Sequence, residues 1–165
     1  MAEHSLTAAD VVDVEVFTFH EGARLAVRHP ATTEQAQYAL PFPVAATIVH
    51  GEVSPTTVTS GLDDPDVARF ASMIRVIEDP AHDAAFPAQR FARVALTLAD
   101  GRRLESADHE APGAPHTPLS DAEVIAKFHA YADPVVGEER ATAIRSAVDS
   151  LGTGAPLSAL TGLLG

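Results

Sequence analysis

Four side chains close together in the chain have the types and spacing to hold a small anionic molecule: Arg28 and His29, then Tyr38 and Phe42. Arg28 and His29 come just before Thr32 and Thr33, either of which can cap a helix. Free amides at a helix N-terminus favour negative charge, so the ligand such an arrangement would take is a carboxylate or phosphate. The plainer alternative is a surface arginine and a histidine beside a turn. Tyr38 and Phe42 lie inside residues 32–51, TTEQAQYALPFPVAATIVHG, where they can form one wall of a pocket together with Gln37.

The same segment dictates how that wall would be built. Ala36, Ala39, Leu40, Ala46 and Val49 fall at helical spacing, and Gly51 stands where a C-terminal stop belongs. Pro41 cannot donate to the carbonyl of Gln37, nor Pro43 to that of Ala39, and each would cost about 3 kcal/mol in a regular helix interior. The spacing therefore predicts a helix split near the prolines, with backbone carbonyls that need partners in an apolar setting. A kinked core helix whose carbonyls are met by water or a neighbouring side chain is the other reading of the same residues.

Other chemistry-bearing residues are sparse. His82 and Asp83 have metal-ligand types but no second pair at ligand spacing, so no metal is expected. His109, Glu110 and His116 sit in HEAPGAPHTP without HExxH spacing and read as part of a loop. The aspartates of DDPD, residues 63–66, read as a helix cap rather than a paired-carboxylate site. Lys127 is the only lysine, on a helix flank, and no cysteine is present, which excludes thiolate chemistry and disulfides. GTG at 152–154 is a stop, and no nucleophile elbow, P-loop or dinucleotide fingerprint occurs.

The elements that must position these residues follow from periodicity. VVDVEVFT, residues 11–18, sets Val12, Val14 and Val16 against Asp13 and Glu15, the pattern of a strand with one buried face. Residues 20–30 read as a helical turn or loop. Pro65 to Ile74 forms a short amphipathic helix through Val67, Phe70 and Ala71; RVIE at 75–78 is a short strand; and DPAHDAAFPAQ is an irregular loop anchored by Phe86. Residues 91–107 form a hairpin about Asp100-Gly101, with Val94, Leu96 and Leu98 on one face. A Ser120–Glu123 capping box opens a helix with Val124, Ile125, Phe128 and Tyr131 toward a core. A further helix spans 137–151, with Ile144, Val148 and Leu151 on its apolar side, and residues 155–164 can add a last short helix. The expected fold is α+β: a small antiparallel sheet of three to four strands, including the DG hairpin, packed against helices. With no internal repeat or second boundary, residues 1–165 read as a single domain.

Composition narrows the class. A chain of 165 residues with 46% hydrophobic residues should bury a core. A formal charge of -12 argues against nucleic acid or an anionic membrane as partner. No apolar run approaches the ~20 residues of a membrane span, and the N-terminus lacks a signal pattern, so the cytoplasm is the expected location.

Four segments in order, HPATTEQAQYALPFPVAATIVHG, DPDVARFASMIRVIEDP, FPAQRFARVALTLADGRRLE and PLSDAEVIAKF, resemble the C-terminal domain of the MmgE/PrpD family. That family includes 2-methylcitrate dehydratases, cis-aconitate decarboxylases and an iminodisuccinate epimerase. The resemblance covers nearly the whole chain from about Ala2 and corresponds to roughly the last third of the family's chains. It implies cofactor-free proton abstraction beside a carboxylate, then loss of water or carbon dioxide, or reprotonation. Such chemistry needs a base, an acid and cationic groups that hold carboxylates.

In the family most of those groups come from a large helical domain and from a Lys- and His-bearing motif upstream, neither of which is in this sequence. The C-terminal domain contributes an aromatic residue from the split helix, Tyr in the dehydratase and decarboxylase types; Phe42 aligns there, with Tyr38 one turn earlier. The resemblance thus implies half of a split lyase or isomerase for a small carboxylic acid, with Arg28, His29, Tyr38 and Phe42 as substrate-binding residues. A separate helical-domain chain would complete it, with no cofactor. The alternatives are a self-sufficient small domain repurposed to bind or shape a small molecule, and a non-catalytic homodimerisation domain.

Overall fold

The computed structural model describes residues 4–164. These form two compact units, one up to Ala111 and one from Pro112. In the first, strand β1 (Val11–Thr18) leads into α1 (His20–Ala23), α2 (Thr33–Gln37), α3 (Pro41–His50) and α4 (Pro65–Met73). Then follow β2 (Ile74–Glu78), α5 (Pro80–Ala85), β3 (Ala92–Leu98) and β4 (Arg103–Glu105). The strands make one sheet in the order β2-β1-β3-β4.

The fold is α+β with four strands and the hairpin about Asp100-Gly101, where Gly101 takes a positive φ of 87°. The sheet is mixed rather than wholly antiparallel. β1 and β3 pair antiparallel, as do β3 and β4, but β2 runs parallel to β1 from Val14↔Ile74 to Thr18↔Glu78. The helices between β1 and β2 carry the chain back to the starting end of β1, which is what a parallel pairing requires.

β1 also departs from simple alternation. Val11, Val14 and Val16 are buried, whereas Val12 is 48% exposed. The register of β1 against β3 shifts between Val11 and Asp13, so an extra residue there turns Val12 outward and brings Val11 into phase with the core.

The apolar sheet face lies in one cluster with Phe42, Ala45, Ala46 and Ile48 of α3 and Val67, Phe70 and Ala71 of α4. The expected split helix is present: α2 ends at Gln37 and α3 starts at Pro41. Both prolines therefore fall in the first turn of α3, where no amide has an intrahelical partner, and neither removes a helical bond. The Leu40 amide at the break donates to the carbonyl of Leu25 at 2.7 Å. Gly51 closes α3 with φ 84°, in the left-handed region that glycine reaches without strain.

Residues 79–89, expected as an irregular loop, contain α5. Asp79 accepts from the Ala81 amide and Pro80 takes the first helical position, repeating the Asp-Pro start of α4. Phe86 stacks on Phe19 with ring centroids 4.7 Å apart. The Phe86-Pro87 peptide bond is cis.

The second unit contains α6 (Asp121–Val136), α7 (Glu138–Leu151) and α8 (Ser158–Thr161). The Ser120–Glu123 capping box forms as expected. The core expected around α6 does not: no described residue of α6 is buried, and α7 buries only Ala141. A pair of helices with one short addition covers each apolar stripe from one side only, so Val124, Ile125 and Tyr131 remain exposed.

Asp64, the cap of α4, accepts from the amides of Asp66 and Val67 and pairs with His50 at 3.0 Å. The bond from the Val67 amide is the largest cause holding its carboxyl below the ordinary value of 3.8; the Asp66 amide and His50 add to it. A depressed folded-state value stabilises the protein fully above pH 3.8, and that contribution is lost as pH falls through the folded value. Asp64→Ala should lower stability by about 1 kcal/mol at pH 7 in chemical denaturation. Asp64→Asn should lose less at pH 7, and its difference from the parent protein should shrink as pH falls below 3.8 and the Asp64 carboxylate is protonated.

Candidate functional site

The four residues singled out by sequence fall in two pairs. Thr32 caps α2 by accepting from the Gln35 amide, and the Gln35 side chain returns to the Ala31 amide at 2.8 Å. Arg28, ahead of that cap, is half-buried and turned to α4. Its Nη1 donates to the carbonyl of Ala71 at 3.0 Å and to that of Ile74, where α4 gives way to β2. These are carbonyls a helix end leaves unpaired, and a cation there also suits the helix dipole.

His29 follows Arg28 to the same element. Ser72 Oγ donates to the Ala68 carbonyl at 2.9 Å, so at 3.1 Å His29 Nε2 is the donor to Ser72 Oγ. Arg28 and His29 are thus brought together on α4. Tyr38 is 68% exposed and Phe42 is 1% exposed, because the break at 38–40 points one to solvent and the other under the sheet. The two aromatics do not share a wall.

A cleft of about 460 Å³ does open along α3, on its first and second turns. Leu6, Val44, Ile48, Val94, Leu96 and Leu104 supply its apolar surface, with Pro43 beside them. Val94 and Leu96 carry the inward face of β3 beyond the edge of α3, and Leu104 of β4 pairs with Leu96. At the polar rim, Thr47 Oγ1 donates to the Pro43 carbonyl. Ser106 Oγ accepts from the Val94 amide and donates to the Ala107 carbonyl. Glu105 is held by Arg93 at 2.7 Å and by Arg103 at 3.5 Å, and His4 completes the rim. Sequence reading identified Val94 and Leu96 as inward-facing but could not tell that α3 leaves them half covered. Comparing the width of the sheet with the number of helices available to cover it is the signal that would have found the cleft.

The opposite sheet face is a ladder of charges. Arg75 pairs with Asp13 at 2.7 Å and with Glu15 at 3.0 Å; Arg103, which faces Thr97, reaches diagonally across β3 to Glu15, whose own neighbour on β3 is the small, buried Ala95. Arg93 lies over Phe17 at 4.4 Å and meets Asp79 as well as Glu105. Each of these arginines already faces protein carboxylates, so the ladder offers no open cationic seat for an anionic ligand. Exposed pairs of this kind contribute little individually to stability.

His82 and Asp83 also have protein partners. Asp83 Oδ1 accepts from the His20 amide at 2.6 Å, capping α1 from across the sheet end. His82 is 2% exposed, its Nε2 lies 2.9 Å from Asp108 Oδ1, and its buried Nδ1 has no partner. A His-Asp pair is the arrangement of a general base, but this imidazole is shielded from any substrate. Among the described residues no group of three or more His, Cys, Asp or Glu is placed to hold a metal ion.

In the second unit, Val124, Phe128, Tyr131 and Val135 of α6 line an apolar groove with Ile144 and Leu164, and Lys127 stands on its edge. Among the described residues no helix is long and apolar enough to cross a membrane.

An α+β sheet beneath a proline-split helix, followed by a capped helical pair, is the setting in which the sequence matches a known family. The match is to the MmgE/PrpD C-terminal domain, over residues 1–153. The chain belongs to this family. The match runs through the split helix, the sheet and both long helices of the second unit. No curated protein matches the sequence. Within this MmgE/PrpD domain, the position expected to carry the pocket aromatic is the core residue Phe42.

Two substitutions test this placement of side chains. Arg28→Met should lower stability by about 1–3 kcal/mol in urea unfolding, since it leaves two carbonyls without their charged donor. His82→Leu should leave the thermal midpoint unchanged or raised, because it removes a buried nitrogen that has no partner at little change in volume, and the Asp108 carboxylate it releases is half exposed and can be hydrated. His82→Ala should lower stability by about 2 kcal/mol or more through the space it vacates.

Proposed function

We propose that this MmgE/PrpD C-terminal domain is the non-catalytic part of a cofactor-independent lyase or isomerase for a small carboxylic acid, working in the cytoplasm with a partner chain. The partner would be helical and would bring the base, the acid and the cations that hold the substrate. The observation that carries this reading is the state of the domain's own polar groups. Arg28, Arg75, Arg93 and Arg103 are engaged with backbone carbonyls or protein carboxylates, and His82 is enclosed. Proton abstraction beside a carboxylate requires an accessible base with a cationic contact close by, and no such set converges on the cleft.

A second reading, a self-sufficient small-molecule-binding domain, is favoured by the cleft along α3. A third, a homodimerisation domain, is favoured by the open apolar groove of the second unit.

Affinity capture from the native cell extract, followed by sizing and mass spectrometry, separates these readings. A helical MmgE/PrpD-type partner should co-elute in fixed stoichiometry. The pair should then show dehydratase, decarboxylase or epimerase activity that the isolated chain lacks. Recovery of the chain alone, as a monomer or as a homodimer, would overturn the partner reading.

A further inference from the structure

We propose that the cleft between α3 and the β3–β4 hairpin binds a small, uncharged and predominantly apolar molecule, a ligand of different chemistry from the carboxylic acid of the preceding section. The inference stands on the first unit alone and does not depend on a partner chain.

Size and lining come first. At about 460 Å³ the cleft lies within the range of ~300–1,000 Å³ typical of small-molecule sites, which are mostly apolar with a few polar groups at the rim. Its walls are rigidly founded. Ile48 is itself part of the buried core, and Leu6, Val44, Val94, Leu96 and Leu104 pack against that core. The concavity exists because the sheet is wider than its helical cover, so a ligand would complete the layer over β3 and β4 that α3 leaves open.

The rim sets the chemical class. Thr47 and Ser106 use their hydroxyl protons on the carbonyls of Pro43 and Ala107. Glu105 is the one carboxylate among the lining residues, and two arginines of the charged sheet face hold it. No lysine or arginine lines the cleft. An anion entering it would give up hydration, meet no lysine or arginine but only the exposed His4 imidazole at the rim, and approach a chain of formal charge -12, which is costly in an apolar setting. A neutral apolar body displaces water from the six aliphatic side chains and leaves every rim bond in place.

The test uses the full chain and N-phenyl-1-naphthylamine, a neutral probe that fluoresces in apolar surroundings, with methyl NMR to locate it. The expected result is saturable binding of one equivalent, methyl shifts at Val44, Ile48, Val94, Leu96 and Leu104, and displacement by 1-octanol but not by citrate. Thr47→Phe, at an exposed position on the cleft, should weaken probe binding at least tenfold while the NMR dispersion of a folded chain is kept. Val135→Asp, in the groove of the second unit, should leave the affinity unchanged. Several results would overturn the proposal: no saturable binding; displacement by citrate as effective as by octanol; loss of binding with Val135→Asp but not with Thr47→Phe; or a homodimer on sizing that Thr47→Phe dissociates, which would make a second copy the occupant.

Discussion

Everything in the first unit depends on burying one face of β1. Val11, Val14 and Val16 have almost no exposure, and the side chains that cover them come from two helices far along the chain, Phe42 from α3 and Phe70 from α4. At ~1.5–3 kcal/mol for each large apolar side chain taken from water, this layer dominates the balance against chain entropy. α3 can lie close because Ala45 and Ala46 face inward, and it can begin where it does because Pro41 needs no amide partner there. The prolines therefore belong to the start of the covering helix. The split they impose frees residues 38–40, turns Tyr38 to solvent and delivers Phe42 to the core.

The same layer explains the uneven surface. Two helices, α3 and α4, over a four-stranded sheet leave the hairpin edge half covered, which makes the cleft. The far face carries arginine–carboxylate pairs that alternate with the apolar residues along the strands. Family membership and this geometry together shape the functional proposal. The sheet of the first unit presents an apolar face and a face of self-paired charges, and the reaction proposed for the domain needs open charged groups from elsewhere.

Local signals were legible in the sequence wherever the physics is local. The Asp64-Pro65 start, the Ser120–Glu123 box, the Asp100-Gly101 turn and the Gly51 stop all involve residues within a few positions of one another, and each formed as expected. The Asp79-Pro80 start of α5 carries the same signal, although the segment as a whole reads as an irregular loop. What could not be read depends on distant partners. The direction of β2 is set by the route of the chain between the strands. The outward turn of Val12 is set by a register shift against β3, and the capping of α1 by a side chain 63 residues away.

The candidate site was legible to the same limited extent. Arg28 and His29 precede a helix start in the sequence, yet both act on the end of α4, 43 residues further along the chain. A guanidinium ahead of a five-residue helix competes poorly for an external anion when two helix-end carbonyls lie within reach, because those acceptors are covalently tethered and need no association entropy. His82 makes the complementary point. Its pairing with Asp108 resembles a catalytic arrangement, but burial decides its role, since an imidazole that solvent cannot reach exchanges no proton with a substrate. Residue type and spacing nominate candidates for chemistry; what remains unpaired and accessible after folding determines which of them can perform it.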